Sequence, residues 1–398
     1  MIEVTEAEAL ILEHMPRWSG ESVPVGACAD RVLCEDVLAE RDQPPFDRVM
    51  MDGIAIAHGD WAGGRREFES TGVQGAGEAP LGIERAGQCV QVMTGAVLPR
   101  GTDTIVPVEQ LAFDGPLAHI SAEAEPRLRQ YIHPRGSDAP AGIQLLQSGE
   151  RIGPAEIAVL AAAGRANVRV AALPRVAVVA TGDELVEAGE PIAEHQIRSC
   201  NDLAIAASLS RHGLAECTRV HLEDDETELP KALQRLHDEF DALVLSGGVS
   251  MGKFDFVPDA LEQLRATPVF HRIRQRPGRP MWFGISHAGK PIFALPGNPV
   301  STLVCTTRYV VPAFRQAAGL KPWDGEWVRL VAPVDAPSNL TYFLAVKLHR
   351  DVNGSEAEPR PTNSSGDFVS LAGTDGVVEL PPRRERYPTN SVVRLFRW

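Results

Sequence analysis

The chain has 398 residues, more than a single domain of about 150 residues would hold. With 44% hydrophobic residues it can build several cores, which excludes a wholly disordered chain. Acids outnumber bases 53 to 39, a net charge of −14, and a surface of that sign repels a polyanion, so a nucleic-acid-coating role is excluded unless a basic patch is strongly local.

The N-terminus, Met1-Ile2-Glu3-Val4-Thr5-Glu6, carries acids where a secretory signal needs positive charge. No run reaches the roughly 18 apolar residues of a membrane span. The cysteines (Cys28, Cys34, Cys89, Cys200, Cys217, Cys305) form no C-x-x-C pair and no metal-ligand spacing. The expectation is a soluble, cytoplasmic protein with reduced thiols.

Thr5-Glu6-Ala7-Glu8 has capping-box spacing ahead of Ala9-Leu10-Ile11-Leu12, which predicts a first helix stopped by Pro16. Between about residues 43 and 133 glycine recurs every few positions around short β-type runs, at 89–93 and 104–108, which predicts a small β domain. Residues 154–164 read as a helix with Pro in its first turn and Gly past its end. From Arg175 the pattern alternates. Apolar strands at 176–180, 218–222, 242–246 and 291–295 are separated by helices at 201–213, 226–240 and 258–265, and a long helix runs from Pro299 to about Ala318. Such alternation predicts a doubly wound, mostly parallel α/β sheet covered on both faces. After Gly319, β runs at 328–334, 342–348 and 392–396, with Asn353-Gly354 as a hairpin turn, predict a C-terminal β region.

In doubly wound sheets ligands bind beyond the carboxyl ends of the strands. Three such ends carry unusual residues. Thr181-Gly182-Asp183-Glu184 follows the first strand; Glu184 there is either a carboxylate at a phosphate site, able to hold Mg²⁺, or the last member of a capping box that serves its own helix. Ser246-Gly247-Gly248-Val249-Ser250 follows the third strand, and its glycines let backbone N–H groups approach an anion. Pro296-Gly297-Asn298-Pro299 opens the last helix, with Asn298 as its cap and free N–H groups for an oxyanion. Asp255 lies close enough in sequence to return to the same crevice. Residues 272–279 hold four arginines, Arg272, Arg274, Arg276 and Arg279, whose planar forks suit phosphate-like anions, although such a run is also compatible with a solvated basic edge. No Walker A or H-E-x-x-H pattern occurs. From these residues alone the chain reads as an acidic α/β protein that binds a phosphate-bearing small molecule together with a divalent cation.

The same elements, in this order, resemble the molybdopterin molybdenumtransferase family, which includes the bacterial MoeA proteins and the E domain of gephyrin. The resemblance spans nearly the whole chain. It rests on Pro45-Phe46-Asp47 with Met51-Asp52-Gly53, Met93-Thr94-Gly95-Ala96, the Thr181–Glu184 and Ser246–Ser250 motifs, and Pro296-Gly297-Asn298-Pro299-Val300-Ser301. It implies an elongated homodimer with a linker and dimerisation domain (1–44 plus 138–172), an inserted β domain (45–137), an α/β molybdopterin-binding domain (173–320) and a C-terminal β domain (321–398). The reaction implied is Mg²⁺-dependent insertion of molybdate into adenylylated molybdopterin with release of AMP. Catalytic roles are then implied for Asp52, Thr94, Glu184 and Asp255, and metal contact for Asp138, Glu184, Asp224 and Asp255. Substrate contacts are implied for Gly182, Asp183, Ser246, Gly247, Gly248, Ser250, Arg272, Arg276, Arg279, Pro296, Gly297, Asn298 and Ser301. Asp52 and Thr94 would face the Glu184 cluster of the partner subunit, and contact with the molybdopterin adenylyltransferase and with cofactor-accepting enzymes is expected. The chain departs from the family pattern at Ile54, usually aromatic, at Met251, Lys253 and Phe254, and in using arginines where lysines are usual. The competing readings are a molybdopterin-binding scaffold without chemistry and the adenylyltransferase acting one step earlier; the extra β domains count against the latter.

Overall fold

The computed structural model describes residues 1–248, 256–323, 325–337, 339–351, 354–382 and 386–398. Contacts divide the chain into two units, one of Met1–Glu35, Ser148–Gly153 and Asn167–Trp398, the other of Asp36–Gln147 and Pro154–Ala166. The first begins with helix α1 (Val4–His14), which buries Val4, Ala7 and Ile11. Its capping pair is two residues earlier than the sequence reading placed it. Glu6, not Glu8, reaches back, its carboxylate accepting from the N–H of Glu3. Glu8 is engaged elsewhere.

The second unit holds the glycine-rich stretch. Its strands are β1 (Gly53–Ile56), β2 (Glu67–Gln74), β3 (Gln88–Val92), β4 (Thr104–Pro107), β5 (Leu111–Asp114) and β6 (Leu117–Ile120), in the order β4-β1-β3-β2-β6-β5. Alternate residues fill the two faces: Ile54, Ile56, Cys89 and Val106 pack with Phe68, while Ala55, Val90, Val92 and Ile105 pack with Ile132. Helix α2 (Pro154–Ala162) completes this unit, with Gly164 just past its end as the sequence suggested.

In the first unit β7 (Arg175–Thr181) leads through a long loop to α3 (Asn201–Arg211), then β8 (Glu216–Leu222), α4 (Glu228–Glu239), β9 (Ala242–Ser246), α5 (Val257–Gln263), β10 (Thr267–His271), β11 (Trp282–Ile285) and β12 (Pro291–Leu295). The strands order as β8-β7-β9-β12-β11-β10. The first four are mutually parallel, as expected. β10 and β11, which sequence reading missed, run antiparallel at one edge. Pro268 and Gly284 within them, and their brevity, hide them from a pattern search. The alternation of β7 builds both layers: Val176 and Val178 face α1, α3 and the last helix, while Ala177 and Val179 face Leu229 and Leu233 of α4 and Leu261 of α5.

The last helix, α6, starts at Pro299–Cys305, passes through a π-turn at Thr306–Val310 and ends with Val311–Ala317. Pro312 has no N–H for the carbonyl of residue 308, so the regular ladder cannot continue and the turn widens there. Beyond it, β13 (Glu326–Leu330), β14 (Thr341–Asp351), β15 (Gly354–Pro359), β16 (Gly376–Leu380) and β17 (Val392–Arg397) close a ring, because β14 pairs with both β15 and β16. Its interior holds Leu330, Val346, Ala357, Val378 and Leu395. The β14–β15 hairpin is where Asn353-Gly354 predicted it; residues 352–353 lie outside the described ones.

Arg308, in the π-turn, is fully buried and joins three of these parts. It donates to Glu8 of α1 and to Glu379 of β16, each at 2.8 Å, and its guanidinium lies 4.6 Å from the Phe396 ring centre. Burial opposes the charge, but the two carboxylates outweigh it and hold Arg308 protonated. Breaking a buried ion pair from one side costs about 3–5 kcal/mol. Arg308→Ala should therefore shift chemical denaturation of this unit by that amount; a loss below about 1 kcal/mol, the range of solvated pairs, would show that water screens the site.

Candidate functional site

Adjacent parallel strands bring three loops together. β7, β9 and β12 are in register at Ala180 with Ser246 and at Ser246 with Leu295, so the segments beginning at Thr181, Gly247 and Pro296 emerge side by side. They open on a cleft of about 940 Å³ lined by Thr181, Glu184, Asp224, Ser246, Gly247, Gly248, Gly297 and Asn298 among others. Gly247 has φ 105°, and a Cβ there would lie 2.6 Å from the carbonyl of Thr181, so only glycine lets the loop pass this close. The Thr181 hydroxyl is buried beside these glycines without a hydrogen-bond partner among the described residues.

Glu184 does not cap a helix. Residues 182–184 form a turn, Leu185–Val186 pairs with Ile197–Arg198, and the next helix starts only at Asn201. The capping alternative is thereby removed, and Glu184 lies on the cleft with Asp224. Gly182 and Asp183 act behind them: the Gly182 carbonyl accepts from His221 Nε2 at 2.9 Å, and Asp183 accepts from the Asp224 N–H at 2.9 Å. Neither lines the cleft.

Asn298 stands at the N-cap position of α6, but its side chain does not cap. Its Nδ2 donates to Ser365 Oγ at 3.0 Å, and the Val300 N–H donates to the Ser365 carbonyl, so a barrel-side loop takes up part of the helix start expected to be free. Asn201, the first residue of α3, serves as a strut rather than a cap. Its Nδ2 donates to Ser246 Oγ at 2.9 Å and to the Gly297 carbonyl at 2.7 Å, tying two of the three loops. Nothing in its local sequence distinguishes this from capping.

The four arginines divide into pairs. Arg276 and Arg279 line a groove of about 490 Å³ with Ser301, and this groove shares Pro280, Pro296 and Asn298 with the cleft. Arg272 and Arg274 line neither: Arg274 forms an ion pair with Glu3 at 2.8 Å, and the Arg272 carbonyl accepts from the Ile2 N–H. Ser250 and Asp255, like Met251, Lys253 and Phe254, lie outside the described residues.

In the other unit Asp52 and Thr94 form one device. Asp52 Oδ1 accepts from both the hydroxyl and the backbone N–H of Thr94, at 2.7 Å each, and these bonds hold its carboxyl below the ordinary range. Ile54, where the family resemblance implies an aromatic residue, is fully buried in the core of this unit. Asp138 is paired with His133, whose Nε2 lies 2.8 Å from Asp138 Oδ1 and whose Nδ1 accepts from Arg48 at 3.0 Å. Among the described residues no three His, Cys, Asp or Glu side chains are grouped to hold a metal. Of the described candidate metal residues Glu184 and Asp224 share a cleft, which suits Mg²⁺, an ion that binds one or two carboxylates and fills its remaining sites with water and substrate phosphates.

Three family models match in chain order: the MoeA N-terminal region (domains I and II) at residues 2–164, a probable molybdopterin-binding domain at 177–316, and the MoeA C-terminal region (domain IV) at 328–396. A molybdopterin molybdenumtransferase of Synechocystis is 36% identical over 100% of both chains, and one of Nostoc is 31% identical over 96% of this chain and 90% of its own. The chain belongs to the molybdopterin molybdenumtransferase family. Crystal structures of the MoeA protein of Pyrococcus horikoshii, 29% and 25% identical, superpose with TM-scores of 0.86 and 0.83 over 100% of this chain and 99% and 100% of theirs. The protein is accordingly a transferase of molybdenum cofactor biosynthesis, and among its described residues no helix is long and apolar enough to cross a membrane.

The Asp52–Thr94 pair gives a direct test. A carboxyl held below its ordinary pKa adds stability at neutral pH that is lost as pH falls through the lowered value. Thr94→Ala removes one of the two donors, so Asp52 should titrate at higher pH by carboxyl NMR; an unchanged titration would mean the hydroxyl does not hold the charge.

Proposed function

We propose that this chain inserts molybdate into adenylylated molybdopterin and releases AMP, with Mg²⁺ required. The observation that carries this reading is the joining of two anion-suited spaces of different character, the glycine-walled cleft with Glu184 and Asp224 and the arginine groove beside it.

The adenylylated substrate carries a diphosphate linkage, and its cleavage develops charge on phosphoryl oxygens. The backbone N–H of Gly248 can donate to that charge without reorganising, while that of Gly247 is engaged by the Leu295 carbonyl at 3.3 Å. Two carboxylates facing a diphosphate repel it, so Glu184 and Asp224 would hold Mg²⁺, which when bound neutralises the linkage. Ser246, Gly297 and Asn298 border the same space, the first two held by Asn201 and the third by Ser365. Molybdate, a separate tetrahedral oxyanion, suits the groove, where Arg276 and Arg279 offer planar donors and Ser301 a hydroxyl. The working assembly proposed is a cytoplasmic homodimer of four-part subunits, in which Asp52, kept ionised by Thr94, and Asp138 of one copy serve the Glu184 cluster of the other. Adenylylated substrate would come from an adenylyltransferase, and the product would pass to cofactor-accepting enzymes.

Purified protein given adenylylated molybdopterin, molybdate and Mg²⁺ should release AMP, and chelation should stop it. Glu184→Ala and Asp52→Ala should each lower AMP release on the order of 100-fold with the fold intact. Well-folded wild-type protein that binds the substrate but releases no AMP would reject the transfer chemistry in favour of a binding scaffold.

A further inference from the structure

The groove that carries Arg276 and Arg279 is backed by buried polar groups that contact with an anion does not itself require. Tyr309, next to Arg308 in the π-turn and 2% exposed, donates its hydroxyl to Gln275 Oε1. Burial pushes the phenol well above its ordinary pKa, so it remains a donor throughout the working range. With Oε1 so engaged, Gln275 Nε2 is turned toward the loop: it donates to the Pro277 carbonyl at 3.0 Å and lies 3.6 Å from Cys305 Sγ. The Cys305 thiol in turn donates to the Gly278 carbonyl at 3.7 Å. The loop is thus pinned at 275, 277 and 278 from one face of α6, while Gln275–Arg276 pairs with Thr341–Tyr342 of the barrel. No room is left over. Gly278 has φ 91°, and a Cβ there would lie 2.6 Å from both Cys305 Sγ and Gln275 Nε2.

We propose that Tyr309, acting through Gln275, is a positioning residue that sets the spacing and direction of Arg276 and Arg279 for a tetrahedral oxyanion. The proposal rests on the reading of this groove as the molybdate pocket. A guanidinium fork binds by direction as well as charge, so its value depends on a backbone that does not move. The tether is neutral, and therefore orders the loop without adding charge to the pocket.

The test is calorimetric titration of the full-length chain with sodium molybdate, with AMP titrated in parallel. Tyr309→Phe keeps the ring and removes one hydrogen bond, so molybdate affinity should fall roughly three- to tenfold while AMP affinity stays within about twofold. Gly278→Ala, which leaves Tyr309 untouched and wedges the tether apart, should reproduce that selective loss. Unchanged molybdate affinity in both variants, or equal losses for molybdate and AMP, would overturn the proposal. If wild-type protein does not bind molybdate, or binds it equally with Arg279→Ala, the groove reading has failed instead. Amide hydrogen exchange over residues 274–279 then decides the tether alone: faster exchange in Tyr309→Phe upholds it, and unchanged exchange rejects it.

Discussion

A guanidinium with no access to water must be surrounded by opposite charge or it will not fold there. Arg308 meets that condition only when α1, the last helix and the barrel are all in place, since Glu8, the π-turn and Glu379 come from those three parts. The ion pair is therefore a checkpoint on the assembly of the first unit. It also fixes the helix face that carries Tyr309 and Cys305, and through them the arginine loop. The requirement to satisfy one buried charge and the need to aim surface arginines are met by the same widened turn.

The cleft has a different origin. It exists because three neighbouring parallel strands end together, and each must discharge its chain into a loop. Glycines at 247 and 248 let those loops approach, and Asn201 keeps them from separating. The two spaces differ in charge across the shared wall of Pro280, Pro296 and Asn298: the cleft holds Glu184 and Asp224 with Arg198, the groove Arg276 and Arg279.

What could be read from the sequence follows from these same causes. Strands buried on both faces, such as Val176-Ala177-Val178-Val179, announce themselves as unbroken apolar runs, so the parallel half of the sheet was visible. The antiparallel pair was not, because Pro268 and Gly284 interrupt runs of only four or five residues. Thr181 and Glu184 have the spacing of a capping box, and only the pairing of Leu185–Val186 with Ile197–Arg198 shows that no helix follows. The bracing roles of Asn201, Gln275 and Ser365 were not legible because a residue that braces a loop has no characteristic neighbours in sequence; its partners are 45, 34 and 67 positions away.

The partners of Arg308 also order events in time. Glu8 lies 300 residues before it and Glu379 a further 71 after. At a ribosomal pace of about 5–20 residues per second, α1 waits on the order of 15–60 s for its ion-pair partner to be made. During that interval Val4, Ala7 and Ile11 have no α6 to cover them, while the second unit, whose chain is finished by Ala166, can already close its own core.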